Sequence, residues 1–205
     1  TKIRENILLF ISKLVSSKEI LEFQSALALQ CFTNEYIYYE KDKEIDFLKE
    51  LEDTVISTLS NGKQPEPNVL LCLGSYKALY QYEWYDKLEV TSEIEEVYNR
   101  QVTEPEYEGK LKSSIPILEE IKNEVSSKVR NQYEANPYPR WVNVGLSMKP
   151  APIFKLVNDL GLKIFDKEII KVESPNILIA GCGTGQHSIE TMTNYKDAKV
   201  LAIDL

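Results

Sequence analysis

The stretch "NILIAGCGTGQHSIETMTNYKDAKVLAID", residues 176–204, constrains the fold more than any other part of the sequence. Its continuous apolar run, residues 177–180 between Pro175 and Gly181, predicts a parallel strand that is buried on both faces. "QHSIETMTNY" predicts a helix, and "AKVLAID" predicts a second apolar strand. Because parallel strands need a long crossover connection, this order of elements indicates a β-α-β unit.

The turn between the first strand and the helix carries glycines at alternate positions, Gly181, Gly183 and Gly185. Such glycines let the backbone approach a ligand, and the helix that follows offers unpaired N–H groups. Asp204, at the end of the second strand, can accept hydrogen bonds from both hydroxyls of a ribose. A dinucleotide fingerprint, G-x-G-x-x-G, needs a third glycine where this chain has Gln186. The pattern favours a nucleotide without a pyrophosphate; a dinucleotide site and a purely structural glycine turn are the alternatives.

Residues 176–205 resemble motif I and the start of motif II of class I S-adenosylmethionine-dependent methyltransferases. The resemblance implies that the glycine-rich turn lies under the methionine and ribose moieties of the cofactor, and that Asp204 holds the ribose hydroxyls. The turn residues assigned to the cofactor by position are Gly181, Cys182, Gly183, Thr184, Gly185 and Gln186. The family commonly has an acidic residue where this chain has Ile179, so another group must bind the amino-acid end of the cofactor.

The segment "VRNQYEANPYPRW", residues 129–141, resembles a stretch ahead of the cofactor domain in a group of bacterial methyltransferases with a helical N-terminal domain. Its prolines restrict the backbone to an extended path. Arg140 is a candidate for a bidentate pair with the carboxylate of the cofactor, and Tyr133 or Tyr138 is a candidate wall of the methyl-donor pocket. The alternative interpretation is a rigid strap between domains, in which Trp141 is a buried anchor.

Helical periodicity dominates the first half of the chain. A capping box of Ser16 and Glu19 opens the second helix, which is apolar almost all round and is expected to be the most buried. Asp42 is the predicted cap of the third helix, and Gly62 is the predicted residue at its end. The apolar face of the first helix is formed by Ile3, Ile7, Ile11 and Leu14.

Three further predictions concern the middle of the chain. Residues 68–88 are expected to form one long fourth helix, and a fifth helix is expected to open at Ser92 and stop before Pro105. The polar residues 102–114 are a candidate linker. A later helix is expected to carry Pro152 in its first turn.

Composition limits the classes of function. The net charge of -8 argues against nucleic-acid binding, which depends on Lys and Arg meeting phosphates. No apolar run approaches the roughly 20 residues that span a bilayer, so we expect no membrane association. Cys31, Cys72 and Cys182 are scattered without the spacing of metal ligands or of a disulfide framework, so we expect reduced thiols, no metal site and a cytoplasmic location.

The predicted fold class is mainly α with a small α/β part: a helical N-terminal domain followed by an incomplete Rossmann-like β-α-β unit. We assign residues 1–110 to the helical domain, 111–172 to a linker with connecting helices that includes "NPYPRW", and 173–205 to the first β-α-β unit of a methyltransferase domain. We expect the front part of a longer enzyme, with a partial S-adenosylmethionine site and no activity by itself.

The sequence leaves the methyl acceptor and the catalytic residues unassigned. The sole histidine, His187, is expected at the rim of the cofactor turn and not as a general base. An apolar strand without an outer neighbour invites pairing, so we expect either a homodimer through the terminal β-α-β unit or a disordered tail. The alternative function is a helical module that recruits a protein partner or a substrate and has no catalytic role; an acidic structural domain is a third.

Overall fold

The protein is represented by a computed structural model, which describes residues 2–11, 17–146 and 149–204. The chain divides into two units, one that reaches Leu118 and one that begins at Glu119. The helices of the first unit are α1 (Lys2–Leu9), α2 (Lys18–Thr33), α3 (Asp42–Ser60), α4 (Pro67–Gly74), α5 (Glu95–Tyr98) and α6 (Glu104–Lys112). The second unit contains α7 (Glu124–Ala135), α8 (Ile153–Asp159), β1 (Asn176–Ala180), α9 (Gln186–Asn194) and β2 (Lys199–Ile203). A mainly α fold with a small α/β part is confirmed.

The start of α2 differs from the prediction by one residue. Ser17 caps the helix, because its hydroxyl accepts a hydrogen bond from the backbone N–H of Ile20 at 3.4 Å. The predicted cap Ser16, like Leu14 of the predicted apolar face of α1, lies outside the described residues.

The predicted start of α3 is wrong, and its predicted end is confirmed. Lys41 is the cap residue and Asp42 is the first helical residue, so the predicted cap is wrong; the backbone N–H of Lys41 donates to the carboxylate of Glu44 at 3.0 Å. At the other end Gly62 has a φ of +68°, and its N–H donates to the carbonyl of Leu59 at 3.0 Å. This left-handed glycine completes a Schellman motif, so the predicted end of α3 is confirmed.

The predicted fourth helix over residues 68–88 is wrong beyond Gly74, where α4 ends. The chain continues through two 3₁₀ turns, Leu79–Gln81 and Tyr85–Lys87. The reason lies far along the sequence: the side chain of Gln101 donates to the carbonyl of Gly74 at 2.9 Å and accepts from the N–H of Leu79 at 3.1 Å. These contacts satisfy backbone groups that a continuous helix would have paired internally.

The helix predicted to run from Ser92 to Pro105 begins later and does not stop at the proline. It starts with α5 at Glu95, passes through a π-helical turn, Asn99–Thr103, and continues as α6. Pro105 lies directly after the π-helical turn, inside this continuous helical run, so the predicted stop before the proline is wrong. The polar segment 102–114, predicted to be a linker, is therefore mostly helical.

The core of the first unit forms around α4, in which six of eight residues are buried. Five of the sixteen residues of α2 are buried, so the prediction that the second helix is the most buried is wrong. Short α4 is surrounded because it contacts α1, α2 and α3. Tyr82 stacks on Trp84 in this core, with ring centroids 4.7 Å apart.

The predicted β-α-β unit is present in the second unit. Strands β1 and β2 pair in parallel, with Ile177 opposite Val200 and Ile179 opposite Ala202, and α9 connects them. Burial on both faces of β1 was predicted wrongly, because Leu178 is 61% exposed while Ile179 is only 7% exposed. Pro152, expected in the first turn of α8, is instead its cap residue, one position before the helix.

Candidate functional site

The glycine-rich turn that follows β1 has a backbone only glycines adopt easily. Gly181, Gly183 and Gly185 have φ angles of +76°, +52° and +88°, in the left-handed region that is costly for residues with a Cβ. A Cβ placed on any of the three would meet nothing within 4 Å. The glycines are thus required by the conformation of the turn, and the space beside them is open.

The end of β2 holds this turn through backbone hydrogen bonds. The N–H groups of Gly181 and Cys182 both donate to the carbonyl of Ile203, at 2.8 and 3.1 Å. Within the turn, the N–H of Gly185 donates to the carbonyl of Cys182 at 3.0 Å. The start of the turn is therefore held by the last residue of β2, which Asp204 follows.

Asp204 lies at the turn itself. Its carboxylate accepts a hydrogen bond from the backbone N–H of Gly183, and the residue is exposed. Burial raises the pKa of the Cys182 thiol, and the negative charge of Asp204 raises it further. A thiol with a raised pKa is a poor nucleophile at neutral pH, so these surroundings do not favour Cys182 as a nucleophile.

Helix α9 begins directly at the turn. Gly185 is its cap residue, and the N–H of Ile189 donates to the carbonyl of Gly185 at 3.1 Å. Gln186 is the first helical residue and is half-buried, and His187 follows it as an exposed residue. The first N–H groups of an α-helix have no partner inside the helix. In α9 these N–H groups lie directly after the glycine-rich turn.

The "NPYPRW" segment reaches the turn through its last residue. The indole N–H of Trp141 donates to the hydroxyl of Thr184 at 2.7 Å. Ten residues later, Ala151 pairs beside Tyr195: its N–H donates to the carbonyl of Asn194 at 2.9 Å, and its carbonyl accepts from Lys196 at 3.0 Å. These two attachments lie at the opposite ends of α9.

The two other predicted residues of this segment have different surroundings. Tyr138 is 68% exposed, and Arg140 is half-buried beside Trp141. The backbone bends at Tyr138 and Pro139, so the predicted extended path is interrupted at these two residues. The peptide bond between them is cis. The side chain of Ile179 is buried in the sheet, away from solvent, as its apolar character requires.

The structure brings together the glycines, Cys182, Thr184, Gln186 and Asp204 as one connected turn. Sequence reasoning treated Trp141 only as an anchor of a strap and missed its hydrogen bond to Thr184. The sequence carries no signal that pairs these two side chains, because an indole N–H and a hydroxyl can each find many other partners.

Comparisons of the chain with protein-family models, with curated proteins and with solved structures find no significant match. The assignment of this site therefore rests on its own residues. Within residues 2–11, 17–146 and 149–204, none of the helices combines the length and the apolar character that a membrane crossing needs.

Proposed function

We propose that the glycine-rich turn and Asp204 form the cofactor side of an S-adenosylmethionine-dependent methyltransferase of class I, with a Rossmann-like sheet. One observation carries the proposal: three left-handed glycines with open space where their Cβ atoms would lie, beside the carboxylate that ends the second strand. An open glycine cradle suits the close approach of a ligand to backbone, and a carboxylate suits a ribose.

The residues present fit this cofactor. The backbone of Gly181, Gly183 and Gly185 accommodates the methionine and ribose moieties. The carboxylate of Asp204, which accepts from the N–H of Gly183, can also accept from a ribose hydroxyl, because each carboxylate oxygen accepts more than one hydrogen bond. When bound, S-adenosylmethionine supplies a methyl group activated by its sulfonium. The acceptor is a substrate whose binding residues we do not assign.

Ile179 offers no polar group to the amino-acid end of the cofactor, and the carboxylate at that end is suited to pairing with a cation. We propose Arg140 for the carboxylate of the cofactor and Tyr138 for the wall of the pocket. The hydrogen bond of the adjacent Trp141 to Thr184 supports this assignment, since it ties the segment that carries both residues to the turn.

Ligand-dependent thermal unfolding tests the proposal, because a ligand that binds only the folded state raises its stability. S-adenosylmethionine and S-adenosylhomocysteine are expected to raise the melting temperature, and NAD is not. Asp204→Ala is expected to abolish the shift. Asp204→Asn retains an oxygen for the N–H of Gly183 and loses the charge, so it serves as the matched variant with an intact turn and weakened binding. If NAD alone raised the melting temperature, the site would be assigned to a dinucleotide and the methyltransferase proposal would be refuted.

A second candidate is a helical module that binds a protein partner. The loop after α2 favours it, because Ile37 is 76% exposed and Tyr39 is 82% exposed, and exposed apolar groups at one place mark interaction sites. This function predicts partner binding that Asp204→Ala leaves unchanged and Ile37→Asp abolishes.

We also propose that the terminal β-α-β unit forms a homodimer in a cytoplasmic setting. Leu178 and Leu201 are paired neighbours on adjacent strands and are 61% and 63% exposed. Strand β1 pairs only with β2 within the described residues, so its other edge offers unpaired backbone groups. Cys31 and Cys72 are buried free thiols, which suits a reducing compartment.

A further inference from the structure

Trp141 makes a long-range hydrogen bond to the glycine-rich turn, in addition to the contacts that the turn makes with the end of β2. The hydrogen bond from its indole to Thr184 joins residues 43 positions apart, at 2.7 Å. Thr184 stands between Gly183 and Gly185, whose backbones have the left-handed φ angles of +52° and +88°. Through the Thr184 side chain, a residue distant in sequence can therefore restrain the backbone between these two glycines.

The described residues Trp141 and Ala151 contact the two ends of α9. Trp141 donates to Thr184 in the turn at which α9 begins, and the backbone of Ala151 pairs with Asn194 and Lys196, on either side of Tyr195, where α9 ends. The contact of Trp141 with the turn is therefore accompanied by a second attachment at the far end of the same helix.

Such a restraint matters because glycines are conformationally permissive. A turn with three of them loses much backbone freedom when it is ordered. If that ordering occurs only on ligand binding, it weakens the affinity, whereas a turn that is already ordered binds without this loss.

We propose that Trp141 is a positioning residue of the candidate cofactor site: its indole N–H, by holding the hydroxyl of Thr184, keeps the backbone between Gly183 and Gly185 in the ligand-accepting conformation. Its action is through Thr184 and not through contact with a ligand. This positioning role of Trp141 adds to the proposed function, and it depends on that function only for the identity of the ligand.

The first test needs no ligand. Amide hydrogen exchange over residues 181–185 is measured by mass spectrometry in the full chain and in Trp141→Phe, Thr184→Val and Thr184→Ser. Thr184→Val keeps the shape of the side chain and removes the acceptor, and Thr184→Ser keeps the acceptor. We expect exchange about three- to tenfold faster in Trp141→Phe and Thr184→Val, the size of one net hydrogen bond, and near-native exchange in Thr184→Ser. Native exchange in Thr184→Val, or equal acceleration in Thr184→Ser, overturns the proposal.

The second test measures the affinity for S-adenosylhomocysteine by titration calorimetry. Trp141→Phe and Thr184→Val are each expected to weaken binding about three- to tenfold, and the double variant no further, because both remove the same hydrogen bond. Additive losses overturn the positioning role. If the native chain does not bind S-adenosylhomocysteine while the exchange results are as expected, the cofactor assignment fails and the role of Trp141 in the turn stands. If the native chain binds and Thr184→Val exchanges and binds like it, the positioning role fails and the cofactor assignment stands.

Discussion

Replacing Gln101 by Met is expected to destabilise the first unit more than its small change in shape suggests. Gln101 is fully buried and lies in the π-helical turn before α6. Its side chain donates to the carbonyls of Gly74 and Ala28, at 2.9 and 3.3 Å, and accepts from the N–H of Leu79 at 3.1 Å. Three separate elements thus meet at a single amide.

The magnitude follows from what each partner keeps after the substitution. Gly74 retains a donor, the hydroxyl of Tyr36 at 3.2 Å, and Ala28 lies inside α2, where its carbonyl has a helical partner. The N–H of Leu79 loses the partner that the amide provides in a fully buried environment. One orphaned buried group costs about 1–3 kcal/mol, and the two weakened carbonyl contacts bring the total to about 2–4 kcal/mol.

Urea unfolding of this unit is followed by the fluorescence of buried Trp84, in a Trp141→Phe background because the chain contains two tryptophans. Gln81→Met is the matched control, because Gln81 is exposed and is expected to change the free energy of unfolding by less than about 0.5 kcal/mol. If Gln101→Met also lies within about 0.5 kcal/mol of the native protein, the buried amide does not determine where α4 ends.

Three shorter predictions follow from the described residues. Burial tends to raise the pKa of Glu44, but the Tyr76 hydroxyl at 2.7 Å, the backbone of Lys41 and the charge of Arg4 together lower this pKa below its usual 4.5. The ionised Glu44 carboxylate therefore stabilises the fold above pH 4.5, and this stabilisation is lost as the pH falls through the lowered pKa. Glu44→Gln should flatten the acid limb of a curve of unfolding free energy against pH. Gly183→Ala should destabilise the second unit by about 1–2 kcal/mol, because the backbone of Gly183 is left-handed. Gly109→Ala is the opposite case: Gly109 lies within α6 with open space for a Cβ, so the substitution should stabilise the first unit by about 0.5–1 kcal/mol in the same denaturation assay. Sedimentation velocity should show a dimer that Leu178→Lys abolishes, and a native monomer at every concentration would contradict the proposed interface.

Local signals predicted the elements whose causes are local. The end of α3 was predictable because Gly62 adopts the left-handed conformation that closes a helix, and this needs no partner beyond the helix itself. The β-α-β unit was predictable because the hydrophobic period changes from helical to strand-like at Pro175 and again after α9. The error at Pro105 has the opposite character: proline was read as a stop, and the preceding π-helical turn accommodates it instead.

The candidate site divides in the same way. The glycine spacing and Asp204 indicated a ligand turn from sequence, since the conformations that glycine permits and the chemistry of a carboxylate are properties of single residues. The contact between Trp141 and Thr184 had no comparable signal, because either side chain could have found another partner.

The sequence by itself determined where strand, turn and helix follow one another in the terminal unit, and which side chains stand at the turn, because period, glycine content and cap chemistry act over a few residues. Only the tertiary structure decided that α4 ends at Gly74, where Gln101 takes over backbone groups, and that Trp141 meets the turn. The physical reason is common to both: a buried polar group must find a partner, and which group lies within hydrogen-bonding distance is decided by packing between segments that are distant along the chain.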